Sequence, residues 1–427
     1  MTLQKSLDRG KFDYSYGFFK LMSLLFLSLY ICSLYVIAYG SHAYICDIFF
    51  LGALGFSFLN FILTKASFKL DTTFFCLLLF VMYAALTTFW VVCDTEVTGM
   101  IYTLVQLFAF YIIVRLNISD ERDLRFVLWA IYIGALLMCI YTIGYYGIGE
   151  IYSRILVGKR IGQEINQVNG MGIYCTILGI MTLYFIIYEK MYRCILVLPI
   201  MAFVLLGCGS RKAFLLMALA LLLLFMFKSK KGVLLRFMGV GCILLLALYL
   251  VLTFADRESN YFLFRIAQVF EIFQDSQSEL RDDSLITRSY MITYGLELWS
   301  DNPVFGYGPQ QYEHFYSLLH GSRRPPHCTY VQILVGYGLI GFSFFYSIYV
   351  FVFYKLIPML RVQRKYSILM VTFTMVFLAN DFGANMLNNK FLYMFFAIYA
   401  AYIAIKLNDE KEDRINEDID RGAALSY

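Results

Sequence analysis

TFFCLLLFVMYAALTTFWVV, residues 73–92, runs for twenty residues without a Lys, Arg, Asp or Glu. About 20 apolar residues in a helix cross the roughly 30 Å hydrocarbon core of a bilayer, with every backbone donor and acceptor satisfied inside the segment. Comparable runs recur near 21–39, 45–63, 99–116, 126–147, 170–188, 192–208, 213–227, 233–254, 329–354, 367–386 and 391–406, so twelve transmembrane helices are expected. The composition agrees, with 60% of the 427 residues hydrophobic, 15% charged and a mean hydropathy of +0.68. A water-soluble protein hardly sustains that balance, and the expected fold class is an all-α polytopic membrane protein. Lys5, Arg9, Lys11 and Lys20 lead into the first run without a small-residue cleavage site, so no removable signal peptide is expected. The ten cysteines sit mostly in apolar runs, as Cys32, Cys76, Cys139 and Cys175 do, and show no pairing or zinc spacing.

Charge placement orients the helices, because Lys and Arg of short loops are retained on the cytoplasmic side. With both termini cytoplasmic, 23 of the 35 cations fall inside and 12 outside. The net charge of +5 is therefore read as topology, and no nucleic-acid partner is expected. The outer cations gather in three places: Arg154, Lys159 and Arg160 after the fifth run, Arg211 and Lys212 between the seventh and eighth, and six arginines in the loop 255–328. Nine of the outer twelve are arginine, against ten arginines and thirteen lysines inside. The planar guanidinium binds phosphate in bidentate fashion, so the bias points to an anionic ligand on the outer face.

The chain divides into helices one to nine (1–254), the outer loop (255–328), helices ten to twelve (329–406) and a cytoplasmic polar tail (407–427). Within the loop, YFLFRIAQVFEIFQ at 261–274 separates Arg265, Gln268 and Glu271 from Phe264, Phe270 and Phe273, as an interfacial helix does. A second loop helix is expected from Asp283 or Ser284 as N-cap to a stop at Pro303, with Arg288 near its start. Asp282 and Asp283 are read as capping acids rather than metal ligands. DNPVFGYGP at 301–309 reads as a turn cluster positioning the loop on the helices, and Gly336, Gly338 and Gly341 as close helix packing. The tail NDEKEDRINEDID is expected to be disordered.

Two places carry candidate chemistry. In LLGCGSRKAFLL, residues 205–216, two apolar runs meet with almost no loop. Arg211 and Lys212 there either snorkel to headgroups from a tight turn or hold an anionic headgroup at the surface, with Gly207 and Gly209 letting the backbone bend. In HGSRRPPHCTYVQ, residues 320–332, His327 either caps the following helix or acts as a base. An imidazole with an ordinary pKa near 6.5 takes a proton from an attacking hydroxyl at neutral pH, and Arg323 and Arg324 disfavour its charged form.

These pieces, in this order, resemble the O-antigen polymerase and O-antigen ligase superfamily of membrane glycosyltransferases. KRIGQEINQVNGMG at 159–172 is similar to the family's arginine–glycine–spacer–asparagine segment, matching Arg160 and Asn169. GSRKA at 209–213 resembles its glycine–serine–arginine turn, matching Arg211. TRSYMITYGLELWSDNPVFGYGPQQY resembles its arginine-to-tryptophan helix with a following proline and glycine pair, matching Arg288. HCTYVQILVGYGLIG resembles its histidine and glycine-patterned helix, matching His327, with Cys328 where an asparagine is usual.

The resemblance implies a GT-C-like enzyme of the bacterial plasma membrane. It implies a polyprenyl-diphosphate-linked oligosaccharide substrate in the outer leaflet, and transfer without metal, nucleotide sugar or other cofactor. His327 is then the candidate base, Arg211 and Arg288 the candidate catalytic cations, and Arg160, Asn169, Lys212, Arg323 and Arg324 candidate substrate ligands. A repeat-unit polymerase, with a chain-length regulator as a possible protein partner, is favoured by association with chains rich in Phe and Tyr, here 41 and 35 residues. A ligase moving finished glycan onto lipid A core, teichoic acid or protein is the first alternative. A flippase or transporter is the second, set against by the absence of Lys, Arg, Asp and Glu from a run such as 73–92.

Overall fold

A computed structural model describes residues 17–37, 42–64, 70–157, 159–162, 164–165, 168–228, 283–362 and 364–424. The first helices follow one another with short links: α1 Phe18–Val36, α2 Tyr44–Thr64, α3 Thr72–Leu86, α4 Val97–Asn117 and α5 Glu121–Tyr146. Asp71 and Asp120 cap α3 and α5 by accepting the Phe74 and Asp123 amides, at 2.9 and 2.8 Å, which satisfies donors that no helical carbonyl reaches. After the short α6, Ile148–Val157, come α7 Val168–Ile187, α8 Val197–Cys208 and α9 Arg211–Lys228. The segment expected outside adds α10 Asp283–Asp301 and α11 Gln311–His320, before α12 Thr329–Val362, α13 Arg364–Asp381 and α14 Lys390–Ala424. Among the described residues there is no strand.

Eight of the twelve expected runs are helices long and apolar enough to cross a membrane. Tyr192–Cys208 and Tyr366–Asp381 are shorter apolar helices, α9 covers the run 213–227, and the run 233–254 and the expected interfacial helix 261–274 lie outside the described residues. The helices enclose α14, whose apolar window is 83% buried. Around it, α1 packs on α2 and α5, α5 on α7, α7 on α8 and α9, α9 on α13, α13 on α12, and α12 on α3.

Two expectations need correction. The run 367–386 is not one helix: α13 ends at Asp381, and 382–389 is a link in which Thr329 Oγ1 donates to the Ala384 carbonyl at 2.8 Å and accepts the Met386 amide at 2.9 Å. The tail NDEKEDRINEDID is not disordered, because α14 continues through it to Ala424. A helix already nucleated in the membrane extends cheaply through good helix formers such as Glu, Lys and Arg, and Lys406 anchors the junction by pairing with Glu121 and Asp409.

One end of the bundle is built by an interlock between α12 and the 303–308 turn. The helical ladder of α12 breaks at Gly338 (φ 59°, ψ −165°). Into the break the turn supplies acceptors for Leu339 (Pro303 O, 2.9 Å) and Ile340 (Val304 O, 3.3 Å), while the Tyr307 and Gly308 amides donate to Val335 and Gly336 at 2.8 and 2.7 Å. The Trp90 indole and the Tyr83 hydroxyl close the turn from the other side, on Gly306 O and Phe305 O. DNPVFGYGP thus does position the segment 283–320 on the helices, but through a helix break at Gly338 rather than through simple helix packing.

Candidate active site

The α8–α9 turn brings the first cations together. Gly209 closes α8 in the left-handed region (φ 56°), which lets α9 begin two residues later at Arg211. The Ile161 amide donates to the Gly207 carbonyl at 3.1 Å, laying Arg160 against the turn, where a Cβ on Gly209 would meet Arg160 Cγ at 3.6 Å. Gly172 in the first turn of α7 approaches the same place, its missing Cβ 2.9 Å from Ala213 Cβ and 3.0 Å from Ser210 Cβ. Asn169, one turn earlier and half-buried, lies on that helix face. Four candidates, Arg160, Asn169, Arg211 and Lys212, therefore collect around residues 209–213.

Lys212 links this turn to the second half. Its ammonium donates to the Gly383 carbonyl at 2.9 Å, in the link that Thr329 staples to the start of α12. Asp381, fully buried at the end of α13, accepts from the Tyr346 hydroxyl at 3.2 Å, and its charge acts on Lys212. Its Oδ1 and the buried Ser210 Oγ have no hydrogen-bond partner among the described residues. Sequence reasoning missed Asp381 because a continuous run 367–386 hid it. The polar string NDFGANMLNN at 380–389 was the available signal.

Arg288 is carried by α10, which packs on α12. A small core of Met291, Tyr312, Tyr316, Cys328, Val331 and Val335 joins α10, α11 and α12, and the Tyr312 hydroxyl donates to the Met291 carbonyl at 2.9 Å. Gly295 is required there, since a Cβ would stand 2.2 Å from Val331 Cγ1. Arg288, one turn before Met291, is thereby fixed over the start of α12.

His327 lies between buried Pro326 and buried Cys328 with φ +53°, a left-handed conformation that non-glycine residues hold only where the surroundings impose it. Burial lowers its pKa first, and the positive charges of Arg288, Lys212 and Arg324 lower it further, so the imidazole is neutral and able to accept a proton at neutral pH. Burial pushes the Cys328 thiol up, and Cys328 packs as a small apolar side chain.

The two adjacent arginines part company. Arg324 faces His327 electrostatically, whereas Arg323 pairs with Glu96 at 3.5 Å and donates to Cys93 Sγ at 3.7 Å. Gln311 reinforces that link, accepting the Val92 and Cys93 amides at 3.1 and 3.0 Å and donating to the Cys93 carbonyl at 2.8 Å. The site thus gathers Arg160, Arg211, Lys212, Arg288 and Arg324 with neutral His327 and the buried carboxyl Asp381, while Arg323 holds the loop from outside. Such an excess of fixed cations beside a base suits an anionic leaving group and a nearby hydroxyl.

Comparison with known proteins gives one family: residues 194–346 match the family model described as O-Antigen ligase. The match contains Arg211, Lys212, Arg288, Arg324 and His327. No curated protein matches the chain.

Proposed function

We propose that this chain, whose segment 194–346 matches the family model described as O-Antigen ligase, is a member of the O-antigen polymerase and ligase superfamily and a repeat-unit polymerase of the bacterial plasma membrane. In this reaction a sugar hydroxyl of an incoming lipid-linked repeat unit attacks the anomeric carbon of the growing glycan. The new C–O bond forms as the bond from that carbon to the diphosphate oxygen breaks, and the polyprenyl diphosphate leaves with the electron pair. His327 takes the hydroxyl proton. Arg211, Arg288 and Arg160, with Lys212 and Arg324, offset the charge that develops on the diphosphate, and Asn169 hydrogen-bonds the substrate at the α7 end of the same turn. Attack opposite the leaving group inverts the anomeric centre.

The observation that carries this reading is the convergence of His327 with Arg288, Lys212 and Arg324 from three separate elements. The flippase alternative has no use for a base at such a place. The description of the matched family supports a ligase as second reading, since the same site serves a hydroxyl on a different acceptor.

Glycan length on gels separates the two. Cells lacking the protein are complemented with wild type, His327→Ala or Arg211→Ala at matched membrane levels. Polymerisation predicts single repeats on the normal acceptor in the deletion and in both variants. Long glycan stranded on its carrier lipid identifies a ligase, and full ladders from both variants refute the site.

A further inference from the structure

We propose that the bundle carries a second binding site, for the headgroup of a phospholipid bearing a primary ammonium, at the far end of the 382–389 link from Asp381. Between α1, α2, α4 and the start of α14 lies a cavity of about 80 Å³ lined by Tyr30, Asp47, Phe50, Gln106, Asn388 and Lys390 among others. It opens at the same end of the bundle as His327. The preceding residue of α4 is Glu96, which pairs with Arg323, and Asn388 follows Met386, whose amide is held by Thr329. Lys390 is also the one expected outer cation that belongs to none of the three groups from which the candidate active site draws its cations.

Three features identify the occupant. The first is charge: Asp47 and Lys390 line one cavity, yet among the described residues neither takes part in an ion pair. Two opposite charges held apart match a zwitterion, with its phosphate on Lys390 and its ammonium on Asp47. The second is the floor. Lys390 Nζ lies 5.8 Å from the Tyr30 ring centroid, and that ring packs on Phe50 and Phe110 at 5.3 and 5.2 Å, so the aromatic floor holds the Lys390 ammonium at the cavity, where it meets the phosphate. The third is depth and size. Gln106 sits nine residues into α4, about 13 Å along its axis, and is exposed, where an amide facing hydrocarbon alone is costly. With about 80 Å³ of water-accessible space open to the surface, the cavity takes a small polar headgroup whose acyl chains stay outside.

The bilayer supplies the rest of the ligand. The window of α2 is only 17% buried, and Leu51, Phe58 and Ile62 are 62%, 60% and 53% exposed along it, a lipid-facing wall for acyl chains beside the cavity. A primary ammonium donates hydrogen bonds to Asp47, whereas the trimethylammonium of phosphatidylcholine has no N–H and the glycerol of phosphatidylglycerol no cation.

Native mass spectrometry of the full chain, loaded with equal phosphatidylethanolamine, phosphatidylcholine and phosphatidylglycerol, tests this. Wild type should retain phosphatidylethanolamine about tenfold better than the other two, the worth of one charge-assisted hydrogen bond. Asp47→Asn should lower it to the phosphatidylcholine level, and Lys390→Ala should lower every phospholipid. Gln106→Leu leaves both charges in place and should lower phosphatidylethanolamine retention below wild type while keeping its preference over phosphatidylcholine, which keeps the test decisive should a charge variant fail to fold. Lys355→Ala, at the other end of α12, should change nothing. Equal retention of the three lipids by wild type overturns the proposal, as does a preference for phosphatidylglycerol or a pattern indifferent to Asp47 and Lys390.

Discussion

Replacing Gly338 by Ala attacks the joint that aims α10 and α11 at the site. The backbone there, φ 59° and ψ −165°, belongs to a region that only glycine occupies comfortably, at a cost of about 1–3 kcal/mol for other residues. Conformation is the smaller part. A Cβ at 338 would stand 2.3 Å from the Val304 carbonyl oxygen and 2.5 Å from its carbon, and both are backbone atoms without a rotamer to change. The 303–308 turn must back out, releasing the four bonds at Val335, Gly336, Leu339 and Ile340, each worth about 1 kcal/mol net. Together the loss is on the order of 5 kcal/mol. Thermal unfolding of the purified protein in detergent should show a large fall in Tm, and the glycan ladder should collapse because α10, which carries Arg288, leads directly into that turn. Gly144→Ala is the control: it lies in α5 with no heavy atom within 4 Å of the added methyl, and should be neutral or stabilising by up to about 1 kcal/mol. A Gly338→Ala protein with wild-type Tm and ladder refutes the interlock.

The acid limb of the rate should follow His327: the neutral imidazole is the active form, and its pKa lies below the ordinary 6.5, so activity persists below pH 6.5 and falls on further acidification. Arg324→Ala removes one of the charges that depress this pKa and should move the limb to higher pH, whatever it does to the maximal rate; an unmoved limb contradicts the assignment. Burial first, with the Glu96 charge, raises Glu313 from 4.5 to about 7, so the fold favours its protonated form. Its contribution to stability is complete below 4.5 and lost as pH rises to about 7, a change of about 3 kcal/mol. Glu313→Gln should therefore be more stable than wild type at pH 8 and show a flatter Tm against pH. The Arg323–Glu96 pair is partly exposed, 31% and 60%, so its coupling is about 0.2–1 kcal/mol. Arg323→Glu and Glu96→Arg should each weaken the ladder and the double exchange restore it, an outcome that a direct phosphate-binding role for Arg323 does not give.

The membrane architecture was legible because a span needs only composition and length, and residues such as those of 73–92 carry both on one continuous segment. The site was legible where the backbone itself imposes a residue: Gly209 before Arg211, prolines before His327. It was illegible where a side chain's role is decided by a distant partner. Arg323 and Arg324 are indistinguishable in sequence, yet consecutive side chains of a non-helical segment point to opposite sides, and one side holds Glu96 while the other holds His327. Asp381 looked like an accident within an apolar run. It is tolerated there because the Tyr346 hydroxyl, 35 residues away in the chain, and Lys212, on a third helix, supply what hydrocarbon does not.

Five positions that break regular structure share one end of the bundle: Gly209 (φ 56°), Gly306 (φ 71°), Gly308 (φ 95°), His327 (φ 53°) and Gly338 (φ 59°). Strain of this kind persists only where the surrounding contacts outweigh it, and here those contacts are backbone hydrogen bonds between the 303–308 turn and α12, and side-chain staples such as Thr329 and Gln311. The function of so much over-determination is electrostatic. Five cations held near one buried carboxyl repel one another, and flexible side chains on a loose frame would relax apart into water. A rigid frame keeps them converged before any substrate arrives, so that the reorganisation a diphosphate would otherwise demand of its surroundings has already been met by folding. On this account the glycines and the cations form one device, which is why Gly338, far from any proton or phosphate, is expected to matter to the glycan as much as His327 does.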